Sequence, residues 1–349
     1  MIGNYLDMKK LTISLLAALV LVACGGSESG NIINITGAGA TFPYPLYSKW
    51  FDEYGKQHPG VQINYQSLGS GAGVRQVTDG TVEFGATDGP MNAEQIAAFE
   101  EARGTKILHL PTVLGAVVPT YNIPGVDAQL KFTSEALAGI YLGRITKWDD
   151  PAISGANPDV KLPDVDIVVV HRSDGSGTTF IWTDFLSKVS MDWASGPGNA
   201  TSISWPVGLG GKGNDGVSGL VQQTPNSIGY VEMIYAIQTG MPSGLVQNSS
   251  GKFMEPTLAA ITAAADGIEM PADFRVSITN PPGENAYPIA SFTWLLIPEE
   301  IDDATTRDTL VNFLEWMLTE GQQIAPSLDY APLPQSVIDL ERPAIATIQ

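Results

Sequence analysis

Apolar and polar positions alternate in short blocks along most of the chain, and glycine, proline and small polar residues separate the blocks. Ile32-Ile33-Asn34-Ile35 predicts a short strand, with Gly37-Ala38-Gly39-Ala40-Thr41 as a turn after it. Leu46, Trp50, Phe51 and Tyr54 then recur at helical spacing. Val61, Ile63 and Tyr65 alternate with Gln62 and Asn64, the period of a strand. Gly69-Ser70-Gly71-Ala72-Gly73 predicts a second turn, with a short helix over 74–77. Phe84-Gly85-Ala86 predicts a strand that closes on Thr87-Asp88-Gly89-Pro90. A helix over 92–103 and a strand over 107–110 follow.

The middle of the chain repeats this style. Ser134 is placed to cap a helix reaching Leu142. Residues 164–172 contain Ile167-Val168-Val169-Val170, a run continuous enough for a central strand. That strand enters Ser173-Asp174-Gly175-Ser176-Gly177-Thr178, and a helix is expected over 180–189. Further strands are expected at 228–231 and 289–297, and a helix at 306–318. Units of strand, small-residue turn and helix imply an α/β fold with a mostly parallel sheet. One core seldom organises so many residues, so two α/β lobes are expected. The apolar stretches 110–118 and 287–297 are natural crossings between them. They predict a discontinuous first lobe, 32–114 plus 288–349, and a second lobe, 115–287.

The N-terminus follows another pattern. Met8-Lys9-Lys10 is a basic flank, and residues 11–23 form an apolar run broken only by Thr12 and Ser14. The run is too short for a comfortable membrane span and has the dimensions of a signal-peptide core. It ends Leu21-Val22-Ala23-Cys24, which resembles a bacterial lipobox, and Cys24 is the only cysteine. The expectation is a signal peptide over 1–23, a lipidated Cys24, and a polar tether to residue 31. Met1 to Asp7 matches no targeting pattern, which leaves Met8 as an alternative start. Residues 1–23 hold Lys9, Lys10 and Asp7, so the whole-chain charge of −19 becomes −20 from residue 24 onward. Such a surface repels nucleic acid and anionic lipid.

Four turns carry the candidate chemistry. They are Gly39-Ala40-Thr41-Phe42, Gly69-Ser70-Gly71, the turn holding Asp88, and the run from Arg172 to Thr178. A strand-to-helix junction presents free amides and the positive end of a helix, which together favour an anion. One glycine-rich turn is usually structural. Four of them, with Thr41, Ser70, Ser176 and Thr178 hydroxyls and the Arg172 fork, say more. Asp88 is either a turn carboxylate or a selectivity device. An ionised carboxylate only accepts hydrogen bonds, so it repels a bound anion unless that anion carries a proton. Monohydrogen phosphate does, and sulfate near neutral pH does not. Asp174 is expected to orient Arg172.

With these residues in view the chain resembles the periplasmic phosphate-binding protein (PstS) family of bacterial phosphate ABC importers. Thr36-Gly37-Ala38-Gly39-Ala40-Thr41-Phe42-Pro43, Tyr65-Gln66-Ser67-Leu68-Gly69-Ser70-Gly71-Ala72-Gly73 and Phe84-Gly85-Ala86-Thr87-Asp88 carry the resemblance. His171-Arg172-Ser173-Asp174-Gly175-Ser176-Gly177-Thr178-Thr179-Phe180 and Gly208-Leu209-Gly210-Gly211-Lys212-Gly213-Asn214-Asp215-Gly216 complete it. The resemblance implies a two-lobed periplasmic-binding-protein fold of type II, with inorganic phosphate in the interlobe cleft. It implies contacts from Thr41, Phe42, Ser70, Asp88, Arg172, Ser176, Gly177 and Thr178. It further implies delivery to membrane permease subunits driven by a cytoplasmic ATPase, with no cofactor, no metal and no catalytic residue. Ala72 and Thr87 depart from the family's common residues without removing a required group.

Competing readings are weaker. Gly-Gly-Lys at 210–212 lacks the full phosphate-loop pattern, because Gly213 stands where a magnesium-binding hydroxyl is needed. His58, His109 and His171 show no metal-ligand spacing. A hydrolase using Ser176 lacks the Gly-x-Ser-x-Gly elbow. A phosphate-sensing surface protein would use the same site without transport.

Overall fold

The computed structural model describes residues 32–349. The expected signal peptide, Cys24 and the tether lie outside the described residues. Chain order begins β1 Ile33–Gly39, α1 Tyr44–Gln57, β2 Val61–Ser67, α2 Ser70–Thr78, β3 Phe84–Thr87, α3 Ala93–Arg103 and β4 Ile107–Asn122. It continues β5 Lys131–Phe132, α4 Ser134–Tyr141, α5 Pro151–Ser154, β6 Val168–Arg172, α6 Gly177–Val189, α7 Met191–Ser195 and β7 Leu209–Gly211. Then come α8 Gly213–Gln223, β8 Ser227–Glu232, α9 Met233–Thr239, β9 Leu245–Gln247, β10 Phe253–Met254 and α10 Leu258–Ala263. The chain closes with β11 Ala290–Pro298, α11 Ala304–Trp316, α12 Gln322–Ile324 and α13 Gln335–Ile345.

Two α/β lobes share one eight-stranded sheet ordered β2-β1-β3-β11-β4-β8-β6-β7. The long strand β4 joins them. Its first part, from Ile107 to Ala116, pairs with β11. Its last part, from Val117 to Asn122, pairs with β8. The returning chain passes the same place, where Val117 N donates to Ile289 O at 2.9 Å and Tyr287 OH donates to Val117 O at 3.0 Å. Both β4 and β11 are almost wholly buried, as near-continuous apolar runs require when helices cover both sheet faces. A second, three-stranded sheet is ordered β10-β9-β5.

The sheet is mixed rather than mostly parallel. β1 runs parallel to β2 and β3, and β6 parallel to β7 and β8. β11 is antiparallel to both β3 and β4, and β4 is antiparallel to β8. The cause is the return of the chain, which inserts β11 between strands laid down earlier. Local boundaries also differ from the pattern. Gly37 and Gly39 belong to β1, because pairing with β2 and β3 carries the strand through them. Ser70 to Gly73, expected as a turn, is the first turn of α2. Thr133, not Ser134, caps α4, accepting from Ala136 N at 3.1 Å. β6 is paired only from Val168, and α6 begins three residues before Phe180. The last expected helix ends at Trp316 and passes into a wider π turn, Met317–Gly321.

Candidate anion-binding site

The sheet order brings four chain turns together between the lobes. After β1, Ala40 N donates to Ala86 O at 3.0 Å, which pins Thr41 and Phe42 beside β3. The second turn depends on Gly69, whose φ of 98° is in the left-handed region. A Cβ there would also lie 2.3 Å from Asp174 Oδ2, so only glycine fits. Ser70 then opens α2. The third turn follows β3 and buries Asp88. The fourth follows β6: Arg172 ends the strand, and Ser176 caps α6 by accepting from Thr179 N at 3.1 Å. At Gly177 a Cβ would sit 2.5 Å from Asp88 Cβ, so the missing side chain lets the lobes touch.

The lobes are closed on each other. Gly177 N donates to Ser70 Oγ at 3.0 Å, and Gly71 N to Gly175 O at 2.9 Å. Asn214 Nδ2 donates to Thr41 Oγ1 at 2.8 Å, and Tyr235 OH to Thr41 O at 2.5 Å. Thr41, Ser70, Asp88, Arg172, Ser176 and Thr178 are all buried. Phe42 is buried with them, its carbonyl accepting from Tyr330 OH at 2.6 Å.

Arg172 is the cation of the cluster. Asp174 grips it with two bonds, Nε to Oδ1 at 2.8 Å and Nη2 to Oδ2 at 2.6 Å, and Nη1 reaches Thr178 Oγ1 at 3.2 Å. Of five N–H donors, one on each terminal nitrogen remains for a ligand. Burial would raise the Asp174 carboxyl, but the Arg172 fork outweighs it and holds the group below its ordinary value. Asp174 therefore stays ionised and holds the guanidinium with both of its oxygens.

Asp88 behaves differently. Burial pushes it up to about 7, against the opposing pull of the Thr293 hydroxyl and the Arg172 charge. Thr293 Oγ1 donates to Asp88 Oδ1 at 2.8 Å, and Ser70 Oγ approaches Oδ2 at 3.4 Å. Asp88 therefore sits near the boundary between its protonated and ionised forms.

Some functional neighbours escaped the pattern. Thr293 lies in the apolar run of β11, and its only signal is a polar residue inside a wholly buried strand. Asn214 stands in the glycine-rich run already noted, with no role assigned to it. Glu232, at the end of β8, is buried, and burial holds its carboxyl well above the usual range. His171 stacks on Trp205 with ring centroids 4.8 Å apart and serves the shape of the loop. Lys212 is exposed at the start of α8. Trp50, Trp148, Trp182, Trp193 and Trp294 are core residues. Among the described residues no group of three or more His, Cys, Asp or Glu is placed to hold a metal ion.

Two lobes on a shared mixed sheet, with donors converging between them, define a solute-binding protein of the periplasmic-binding-protein type. The PBP superfamily domain matches residues 25–320. The phosphate-binding protein PstS of Pasteurella multocida is 44% identical over 307 residues, covering 87% of each chain. That of Methanocaldococcus jannaschii is 38% identical over 352 residues, covering 93% of this chain and 88% of its own. The chain belongs to the PstS phosphate-binding protein family. The fold also matches a high-affinity periplasmic phosphate-binding protein, PfluDING, with a TM-score of 0.72 at 22% identity, covering 89% of this chain and 93% of that one. A substrate-binding protein from Clostridium perfringens, described as a putative phosphate ABC transporter component with bound phosphate, matches at TM-score 0.63 and 18% identity, covering 86% of this chain and all of its own.

Proposed function

We propose that this protein captures inorganic phosphate between its lobes, outside the cytoplasm, and delivers it to the membrane permease of an ABC importer driven by a cytoplasmic ATPase. It is a binding protein and not an enzyme. The relatives, matched over 87% and 88% of their own length, are named phosphate-binding proteins. The observation that carries the reading is Asp88, a buried acid with the Thr293 and Ser70 hydroxyls of the first lobe at its oxygens and Gly177 of the second lobe packed against it. In this reading Thr41, Phe42, Ser70, Arg172, Ser176, Gly177 and Thr178 donate to the phosphate oxygens, and Asp88 accepts the phosphate proton. The lobes are residues 32–114 plus 288–349 and residues 115–287. Closure hinges where β4 changes partner. Cys24 carries the lipid anchor that keeps the protein at the envelope membrane. A hydrolase using Ser176 finds no support, since its hydroxyl caps α6 and no imidazole is bonded to it. Calorimetric titration of the purified protein tests the proposal. Phosphate binds at one site with or without a chelator; absence of binding, or binding that needs a divalent ion, contradicts it.

A further inference from the structure

We propose that Asn214 is the positioning residue that turns the hydroxyls of Thr41 and Thr178 into fixed donors toward a tetrahedral oxyanion. The proposal rests on the phosphate reading above and extends it to a residue outside the contact set. A threonine hydroxyl is ambiguous by itself, because it has one hydrogen to give and two lone pairs to fill. Anion recognition needs the hydrogen aimed at the ligand. The surroundings must therefore fill the lone pairs.

Asn214 does this for both lobes at once. It is the second residue of α8 and is fully buried. Its side-chain oxygen accepts from Glu232 N at 3.0 Å. A backbone N–H can only donate, so that bond sets which way the amide faces. The NH2 group must then point at the hydroxyls. One hydrogen goes to Thr41 Oγ1 at 2.8 Å and the other to Thr178 Oγ1 at 3.1 Å. Thr41 Oγ1 takes a second donor, Asn214 N, at 3.3 Å. Thr178 Oγ1 takes Arg172 Nη1 at 3.2 Å. Both hydroxyl oxygens are now saturated as acceptors, and neither hydroxyl hydrogen has an acceptor among the described residues. Burial makes that arrangement costly unless a ligand oxygen completes it. The same amide ties Thr41, from the first lobe, to Thr178, from the second. Asn214 thus orients Thr178 within its own lobe and reaches Thr41 only when the lobes are closed.

The test is a double-mutant cycle read by phosphate titration, with thermal unfolding in phosphate-free buffer to confirm folding. Thr41→Val and Thr178→Val remove the hydroxyls while keeping side-chain shape. Asn214→Ala removes the amide. If Asn214 acts through the hydroxyls, its substitution weakens phosphate binding by about tenfold or more in the wild-type background. In the Thr41→Val/Thr178→Val background the same substitution changes affinity by less than about twofold. Equal losses in the two backgrounds overturn the proposal, since a purely structural role is indifferent to the hydroxyls. Should Asn214→Ala not fold, Asn214→Leu, close in size and without charge, runs the same cycle with the same two outcomes. A wild-type protein that binds no phosphate overturns the proposed function and this role with it. Wild-type binding with equal losses overturns only the role of Asn214.

Discussion

Asp88 concentrates the chemistry of the site in one carboxyl. Its burial lifts it to about 7, so it changes protonation within the ordinary working range. Above that value it is an acceptor and wants a proton from the ligand. Below it, Asp88 brings its own proton and can donate to an anion that has none. Sulfate then becomes acceptable. The sign follows directly: sulfate affinity is highest and level below about pH 7 and falls about tenfold per pH unit above it. Titration with sulfate between about pH 5.5 and 9 checks this, and a flat profile contradicts the role of Asp88. Asp88→Asn removes the pH dependence. At this scale much of the site was legible in the sequence, because Asp88, Arg172 and Asp174 sit in turns whose composition announces free amides. Thr293 and Asn214 were not legible. They reach the site from 205 and 173 residues away in sequence, from Asp88 and Thr41 respectively, and only folding brings them there.

Elements place these groups by where they begin. α2 and α6 start at Ser70 and Gly177, so their positive ends face the cluster from opposite lobes. Hydrophobic period located these helices but set their starts late, at Val74 and Phe180. Small residues at the first turn carry no apolar signal, although the helix already includes them. Likewise, nothing in the apolar run of β11 reveals that it inserts antiparallel between β3 and β4. That is a long-range pairing. α13 contains a separate liability. Glu341 is fully buried, and both of its carboxyl oxygens lack a hydrogen-bond partner. Burial holds its carboxyl well above the usual range. A raised acid keeps its stabilising proton at low pH, and that contribution is lost as pH rises through the folded value. Glu341→Leu therefore raises the stability of the protein by ~1–3 kcal/mol, with the larger gain at high pH. Thermal unfolding at about pH 5 and pH 8 measures it; destabilisation at both values contradicts the account.

Across the whole molecule, net charge opposes anion capture: the chain carries −19. Attraction must be local. Helix ends and Arg172 act at contact distance, while the diffuse charge is screened over roughly 8–10 Å in ordinary salt. Closing the lobes supplies that contact, because the donors lie on both sides. Phosphate-free protein is expected to sample a more open form, with hinge motion where β4 switches from β11 to β8. Small-angle scattering then gives a smaller radius of gyration with saturating phosphate, and superimposable profiles argue against closure. The central claim is that Asp88 selects phosphate by accepting its proton. Competition calorimetry of wild type and Asp88→Asn at about pH 8, where phosphate is mostly the monohydrogen dianion, tests it most directly. Asparagine offers sulfate a donor and removes the repulsive charge, and a site built around a missing donor can discriminate by orders of magnitude. The account predicts that Asp88→Asn lowers the phosphate-to-sulfate affinity ratio by about a hundredfold or more. An unchanged ratio in the substituted protein contradicts it.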